Sequence, residues 1–212
     1  MMPYKGYYWT ILAPLMKKSI TARYGKEMAE KSIRQGKLEY KKLLNHADDI
    51  GPGNPMAMNA YFAYVFAGAW LGSGKEITPD GMAEVMTDVL HKMKPMFSLV
   101  NLNKPAFRHY WDKSMRKYEK WSQDKFDKYP TTWKVNFDEK LHKDGTYYYF
   151  TQCPVCTLCE KEGIPEIMAA LCGTDWLMFK MQHGILHRDC TLAGGDPVCD
   201  YWVVPDEIQN PR

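Results

Sequence analysis

The first 152 residues of this 212-residue chain contain no cysteine, and all six cysteines fall between positions 153 and 199. That distribution excludes a disulfide framework spread over the whole chain and confines thiol chemistry or cysteine-ligated metal to one segment. A long apolar run is also missing. The nearest approach, Met56 to Gly72, includes Asn59 and is built on Ala, Tyr and Phe. It falls short of the roughly 20 strongly apolar residues a bilayer requires and reads as a buried helix. No charge of one sign dominates, since 28 basic residues face 25 acidic ones for a net charge of +3. Nothing in that balance calls for a nucleic-acid or membrane partner, and neither is expected. The apolar stretch Tyr7 to Leu15 is broken by Thr10 and Pro14 and followed by Lys17 and Lys18 instead of a small-residue cleavage site. We therefore expect no targeting segment and a cytoplasmic location. Internal repeats and low-complexity tracts are absent as well.

Apolar material is plentiful: 45% of residues are hydrophobic and 14% aromatic, which gives a core to a single domain of this length. Tyr8 to His46 reads as helix, locally weakened by Gly25 and Gly36. Ile50-Gly-Pro-Gly-Asn-Pro55 breaks the chain before the apolar helix that ends near Gly72. Thr78-Pro-Asp is a helix start, with Thr78 as cap and Pro79 in the first turn, and this helix is predicted to run to about Met93. A fourth helix runs from Lys104 to about Lys128, ended by Tyr129-Pro130. The period then changes. Trp133, Val135 and Phe137 alternate with polar residues, Asp144-Gly145 is a turn, and Tyr147 to Thr151 is β-prone. Cys153 to Glu162 and Pro165 to Gln182 read as helices, and Ile185 to Leu192 with Val198 to Val204 as a hairpin about Ala193-Gly-Gly-Asp-Pro197. Helices first and a small antiparallel sheet with two inserted helices last predict an α+β fold in one domain. Residues 1–128 form its helical part, 129–204 carry the motifs and 205–212 are a tail.

The segment Cys153-Pro-Val-Cys-Thr-Leu-Cys159 places three thiols at i, i+3 and i+6. If helical, they share one face; if a loop, Cys153, Cys156, Cys159 and Cys172 are the ligand set of a zinc or iron–sulfur site. Otherwise they are small buried hydrophobes. No cofactor is expected, and the zinc or iron–sulfur reading stays open as the alternative. A nucleophilic cysteine needs thiolate character from a helix N-terminus, a histidine or an arginine. Cys153 stands between a predicted strand and Pro154, and His183, His187 and Arg188 follow as basic candidates. Asp175 lies three residues after Cys172 on one predicted helix, on the same side. Cys199 and Asp200 are adjacent on a strand, so one of them faces inward, and an inward Asp200 would need a donor such as Arg188.

The series Tyr129-Pro-Thr-Thr-Trp133, Phe150-Thr-Gln-Cys153 with Cys156, Glu162-Gly163, Pro165-Glu166, Cys172-Gly-Thr-Asp175, Arg188-Asp-Cys-Thr-Leu-Ala-Gly-Gly195 and Cys199-Asp-Tyr201 resembles the L-2-amino-thiazoline-4-carboxylic acid hydrolase family. The order and spacing agree across about residues 129–203. What the resemblance implies is a bacterial ring-opening hydrolase of a small cyclic amidine carboxylate, cleaving a C–N or C–S bond. The family's recurring residues map onto Cys153, Cys172, Asp175, Arg188, Thr191, Cys199 and Asp200, while Cys159 and Cys190 depart from its pattern. In that chemistry Cys153 is the nucleophile, Asp175 the general acid or base and His187 the reserve base. Arg188 is the clamp for the substrate carboxylate, and Thr191, Cys172, Cys199 and Asp200 complete substrate binding. The rival is a non-catalytic ligand-binding or sensor domain on the same fold. A small-molecule substrate is the expected partner, and self-association into a homo-oligomer stays open.

Overall fold

Gly36 and Gly72 carry no side chain because two helices meet at their backbones. In the computed structural model, which describes residues 1–138, 140–142 and 144–208, helix α1 (Gly6–His46) packs on α2 (Ala57–Gly72). A Cβ on Gly72 would lie 2.2 Å from the Gly36 nitrogen and 2.4 Å from the Ser32 carbonyl oxygen, and one on Gly36 would lie 2.7 Å from the Ala69 Cα. The Ser32 hydroxyl, fully buried, donates to the Ala69 carbonyl at 2.7 Å. Around this crossing α1 buries Leu12, Met16, Ile20, Tyr40, Leu43 and Leu44, while α2 buries Tyr61, Tyr64, Val65 and Trp70. Gly36, a weak point of the helix by propensity, keeps helical geometry and is the point of closest approach to α2. Gly25 does interrupt the helix, with φ at +85° producing a kink.

Helix α3 (Pro79–Phe97) starts as its sequence predicts: the Thr78 hydroxyl accepts the Gly81 amide at 3.1 Å. Its buried Met82, Val85, Met86, Val89 and Leu90 follow the helical period. The helix passes the predicted end near Met93 and carries Pro95 within its last turn, where a proline forfeits only one ladder bond. Helix α4 (Pro105–Lys125) opens on a proline at its first position.

Four strands, β1 (Lys134–Phe137), β2 (Thr146–Gln152), β3 (Gly184–His187) and β4 (Cys199–Pro205), form one antiparallel sheet in the order β1-β2-β4-β3. Between β2 and β3 lie α5 (Pro154–Lys161) and α6 (Met168–Met181). The chain is α+β, as the sequence predicts. Strand β1 is an edge, and α4 caps its outward amides: Ser122 Oγ accepts from Val135 at 3.3 Å and Glu119 Oε1 from Phe137 at 3.1 Å. The pleat puts Val135, Tyr148, Phe150, Cys199, Val203 and Leu186 on the buried face. The last hairpin differs from expectation. β3 stops at His187 instead of Leu192, and residues 188–198 form a loop with one 3₁₀ turn at Leu192–Gly194 and Gly195 at φ +90°.

Two compact units emerge. One comprises Met1–Asp49, Met56–Lys92 and Pro154–Thr174; the other comprises Ile50–Pro55, Met93–Cys153 and Asp175–Arg212, so α4 belongs with the sheet. Among the described residues no helix is long and apolar enough to cross a membrane.

The glycine contact yields a stability test. Gly72→Ala forces two backbones apart and lowers stability by about 1–3 kcal/mol or more in denaturant unfolding. Gly173→Ala, in a helix where an added Cβ meets nothing within 4 Å, is neutral or stabilising by up to about 1 kcal/mol. Equal effects of the two changes would remove the close approach as the explanation.

Candidate functional site

Arg188 follows directly on β3, and β4 presents Tyr201 on the buried face of the sheet, stacked on Tyr148 at 5.2 Å with the rings 13° apart. Asp175 belongs to the half of α6 that packs with the sheet unit. The three meet. Arg188 Nη1 donates to Asp175 Oδ2 at 2.8 Å and to Tyr201 Oη at 2.9 Å, and Tyr201 Oη donates to the same Asp175 oxygen at 2.6 Å. The guanidinium carbon lies 3.9 Å from the ring centre of Trp176 and 5.2 Å from that of Tyr201. Only 1% of the Arg188 side chain is exposed, against 26% of Asp175. Asp175 is therefore the charged group of the pair that solvent reaches.

The electrostatics follow from that burial. Burial pushes the Asp175 carboxyl above the usual carboxylate range, opposed by the Tyr201 hydroxyl and by Arg188. Tyr201 is held well above an ordinary phenol by burial and by the adjacent Asp175, so it remains a donor. Cys199, on the same face two residues before Tyr201, accepts the Leu192 amide on its sulfur at 3.1 Å. Burial raises this thiol too, and the Leu192 amide and Arg188 pull the other way.

Asp200 faces away from Cys199. Its carboxylate accepts the amides of Asp189 at 3.1 Å and Cys190 at 2.7 Å, and so it holds the loop after β3. Within that loop Asp196 accepts the Thr191 amide at 2.8 Å, and Thr191 Oγ1 accepts the Gly194 amide at 3.0 Å. Of the two residues at 199 and 200, the thiol is thus the inward one, and the partner of Arg188 is Asp175. His187 pairs in register with Trp202 on the opposite face of the sheet, its ring 4.4 Å from the indole, and His142 stacks on that indole at 4.0 Å.

Cys153 directly follows β2 and is half-buried. In the helical unit, Cys172 is half-buried on α6, and Cys156 and Cys159 are buried on α5. Burial pushes the Cys159 thiol up to about 12. None of the six cysteines is in a disulfide, and among the described residues no three His, Cys, Asp or Glu side chains are grouped to hold a metal. The structure thus brings Asp175, Arg188 and Cys199 together, gives Thr191 and Asp200 to the adjoining loop, and turns His187 to the other face. Tyr201 and Trp176 are the additions. Tyr201 was within reach of the pleat alone, since an inward Cys199 makes Tyr201 inward.

Two substitutions test this geometry. Tyr201→Phe removes a hydrogen bond to the ionised carboxylate, so Asp175 titrates at higher pH than in the wild type, read by carboxyl-carbon NMR. Arg188→Leu leaves a carboxylate with its cation removed and lowers stability by roughly 3–5 kcal/mol, most of which the Arg188→Leu/Asp175→Leu double variant recovers. An unshifted titration, or no recovery in the double variant, would contradict the cluster.

Comparison with curated proteins and with solved structures gives no match. A family model does match, over residues 58–203, which is more than half of the chain and takes in every member of the cluster from Asp175 to Tyr201. On that match, and with the motif series folded around one buried ion pair, the chain belongs to the L-2-amino-thiazoline-4-carboxylic acid hydrolase family.

Proposed function

We propose that this chain hydrolyses a small cyclic amidine carboxylate, of the kind the family is named for, with Asp175 as the group that handles the proton. The observation that carries the reading is the Asp175 carboxylate: a quarter exposed, raised by burial, and fixed from behind by Arg188 and Tyr201. Ring opening by water is redox-neutral. Water adds to the amidine carbon and gives up a proton, the ring C–N or C–S bond breaks, and the departing atom takes a proton. A single carboxyl whose proton affinity is raised by burial serves as base in the first step and as acid in the last. No cofactor is required for that balance.

Arg188 acts here as a positioning residue. Its guanidinium is committed to Asp175 and Tyr201 and is almost wholly out of solvent, so it orients the carboxylate and offsets its charge. Water is a better attacking group than the Cys199 thiol, because burial of Cys199 disfavours the thiolate more than the Leu192 amide and Arg188 favour it. Cys153, at the end of β2, is the other thiol for a covalent route, and His187 serves no step of the water route.

The test is turnover of 2-amino-thiazoline-4-carboxylate by the purified chain, with product identified by mass as substrate plus one water. Asp175→Asn lowers kcat by about 10²–10⁴ while the protein stays folded. Tyr201→Phe shifts the basic-group limb of the pH–rate profile upward. Cys199→Ser and Cys153→Ser retain most of the activity. Loss of turnover in either serine variant would replace the water route by a thiol nucleophile. Failure of the wild type on this and related cyclic amidines would overturn the hydrolase reading.

A further inference from the structure

A second feature of the sheet unit lies where β2 begins, β4 ends and α4 starts: a cleft of about 400 Å³, within the roughly 300–1,000 Å³ range of small-molecule sites. Its apolar lining includes Val203, Val204, Ile208 and the indole of Trp111, which stands edge-on to Phe179 at 5.4 Å and 85°. Two charged side chains on it are distinctive. Arg108 is half-buried and pinned, its Nη1 donating to the carbonyls of Leu102 at 3.0 Å and Asn103 at 2.8 Å. Main-chain carbonyls fix a guanidinium without neutralising it, and Arg108 makes no ion pair among the described residues. Asp144, exposed at the opening, likewise makes none, whereas Asp112 on the same lining is bonded to Arg116 at 2.9 Å.

We infer that this cleft binds a small zwitterion with an apolar body, an amino acid of the leucine or phenylalanine class, with its carboxylate on Arg108 and its ammonium facing Asp144. An immobilised cation without a counter-ion is ready for a carboxylate, because its rotamer entropy is already spent. An anion on the same lining selects against simple acids. Apolar walls with an indole take the side chain. The inference is independent of the hydrolase reading, since it concerns other residues and is read by binding alone.

Calorimetric titration of the full chain, cross-checked by saturation-transfer NMR, uses three probes: L-phenylalanine, phenylacetate and phenethylamine. L-Phenylalanine binds saturably in the millimolar range or tighter, and the two half-recognised probes bind about tenfold more weakly. Arg108→Gln weakens L-phenylalanine and phenylacetate by about tenfold or more and leaves phenethylamine unchanged. Because Arg108 also ties down the chain before α4, a second variant is placed on the exposed residue: Asp144→Lys weakens L-phenylalanine and abolishes phenethylamine while sparing or strengthening phenylacetate. Absence of saturable binding of all three probes below about 10 mM overturns the site. So does a folded Arg108→Gln that binds L-phenylalanine as the wild type does, or an Asp144→Lys with unaltered preference among the probes.

Discussion

A guanidinium with 1% of its surface in contact with solvent has to be compensated where it stands, and the sheet unit is arranged to do so for Arg188. Two of its bonded partners come from different elements, Asp175 from α6 and Tyr201 from β4. Tyr201 can reach only from the buried face. Its placement there fixes the register of β4, because a slip of one residue would exchange every inward side chain for an outward one. Cys199 then has to face inward and Asp200 outward, which is where the loop amides of Asp189 and Cys190 need an acceptor. One buried ion pair thus settles the side of the sheet on which each neighbouring motif residue works.

The acids of the C-terminal motifs divide accordingly. Asp200 and Asp196 are used up as acceptors for backbone amides in the loop between β3 and β4, and this geometry leaves them little part in proton transfer. They also mark Cys190 as an unsuitable nucleophile. Burial raises its thiol, and Asp196, Asp200 and Asp189 push the same way. Asp175 differs because its hydrogen bonds come from side chains, one of them an arginine, and because part of it stays open to solvent.

Much of this was legible beforehand, and the exceptions have physical reasons. Helical period and punctuation located the six α-helices of the described residues: Thr78 caps, Pro79 and Pro105 begin helices, and the change to alternation after Trp133 announced the sheet. Missed features were tertiary. Gly36 looks like a flaw in a helix until Gly72 is set against it. Residues 188–192 have strand-like neighbours, yet Asp200 and Asp196 take their amides and bend the segment out of the ladder. Tyr201 reads as one aromatic among many, since a periodic pattern distinguishes inside from outside but does not reveal that a hydroxyl will end 2.6 Å from a carboxylate. The six cysteines cluster in the sequence, yet the side chains that bond to one another at the site are an arginine, an aspartate and a tyrosine.

Strand β4 also shows how one sheet treats two arginines in opposite ways. Along its first half the guanidinium of Arg188 meets a carboxylate, so the pair is close to neutral and the useful property is the altered basicity of Asp175. Past Val203 the strand turns apolar and borders the cleft of Arg108, whose Nη1, among the described residues, meets carbonyl oxygens alone. Carbonyl dipoles orient a cation and leave its full charge in place. In the proposed roles, a compensated arginine therefore tunes its partner and an uncompensated one receives an anion. The distinction lies in the acceptor each guanidinium is given and not in the residue type, which is why two arginines that look alike in the sequence are held so differently in the fold.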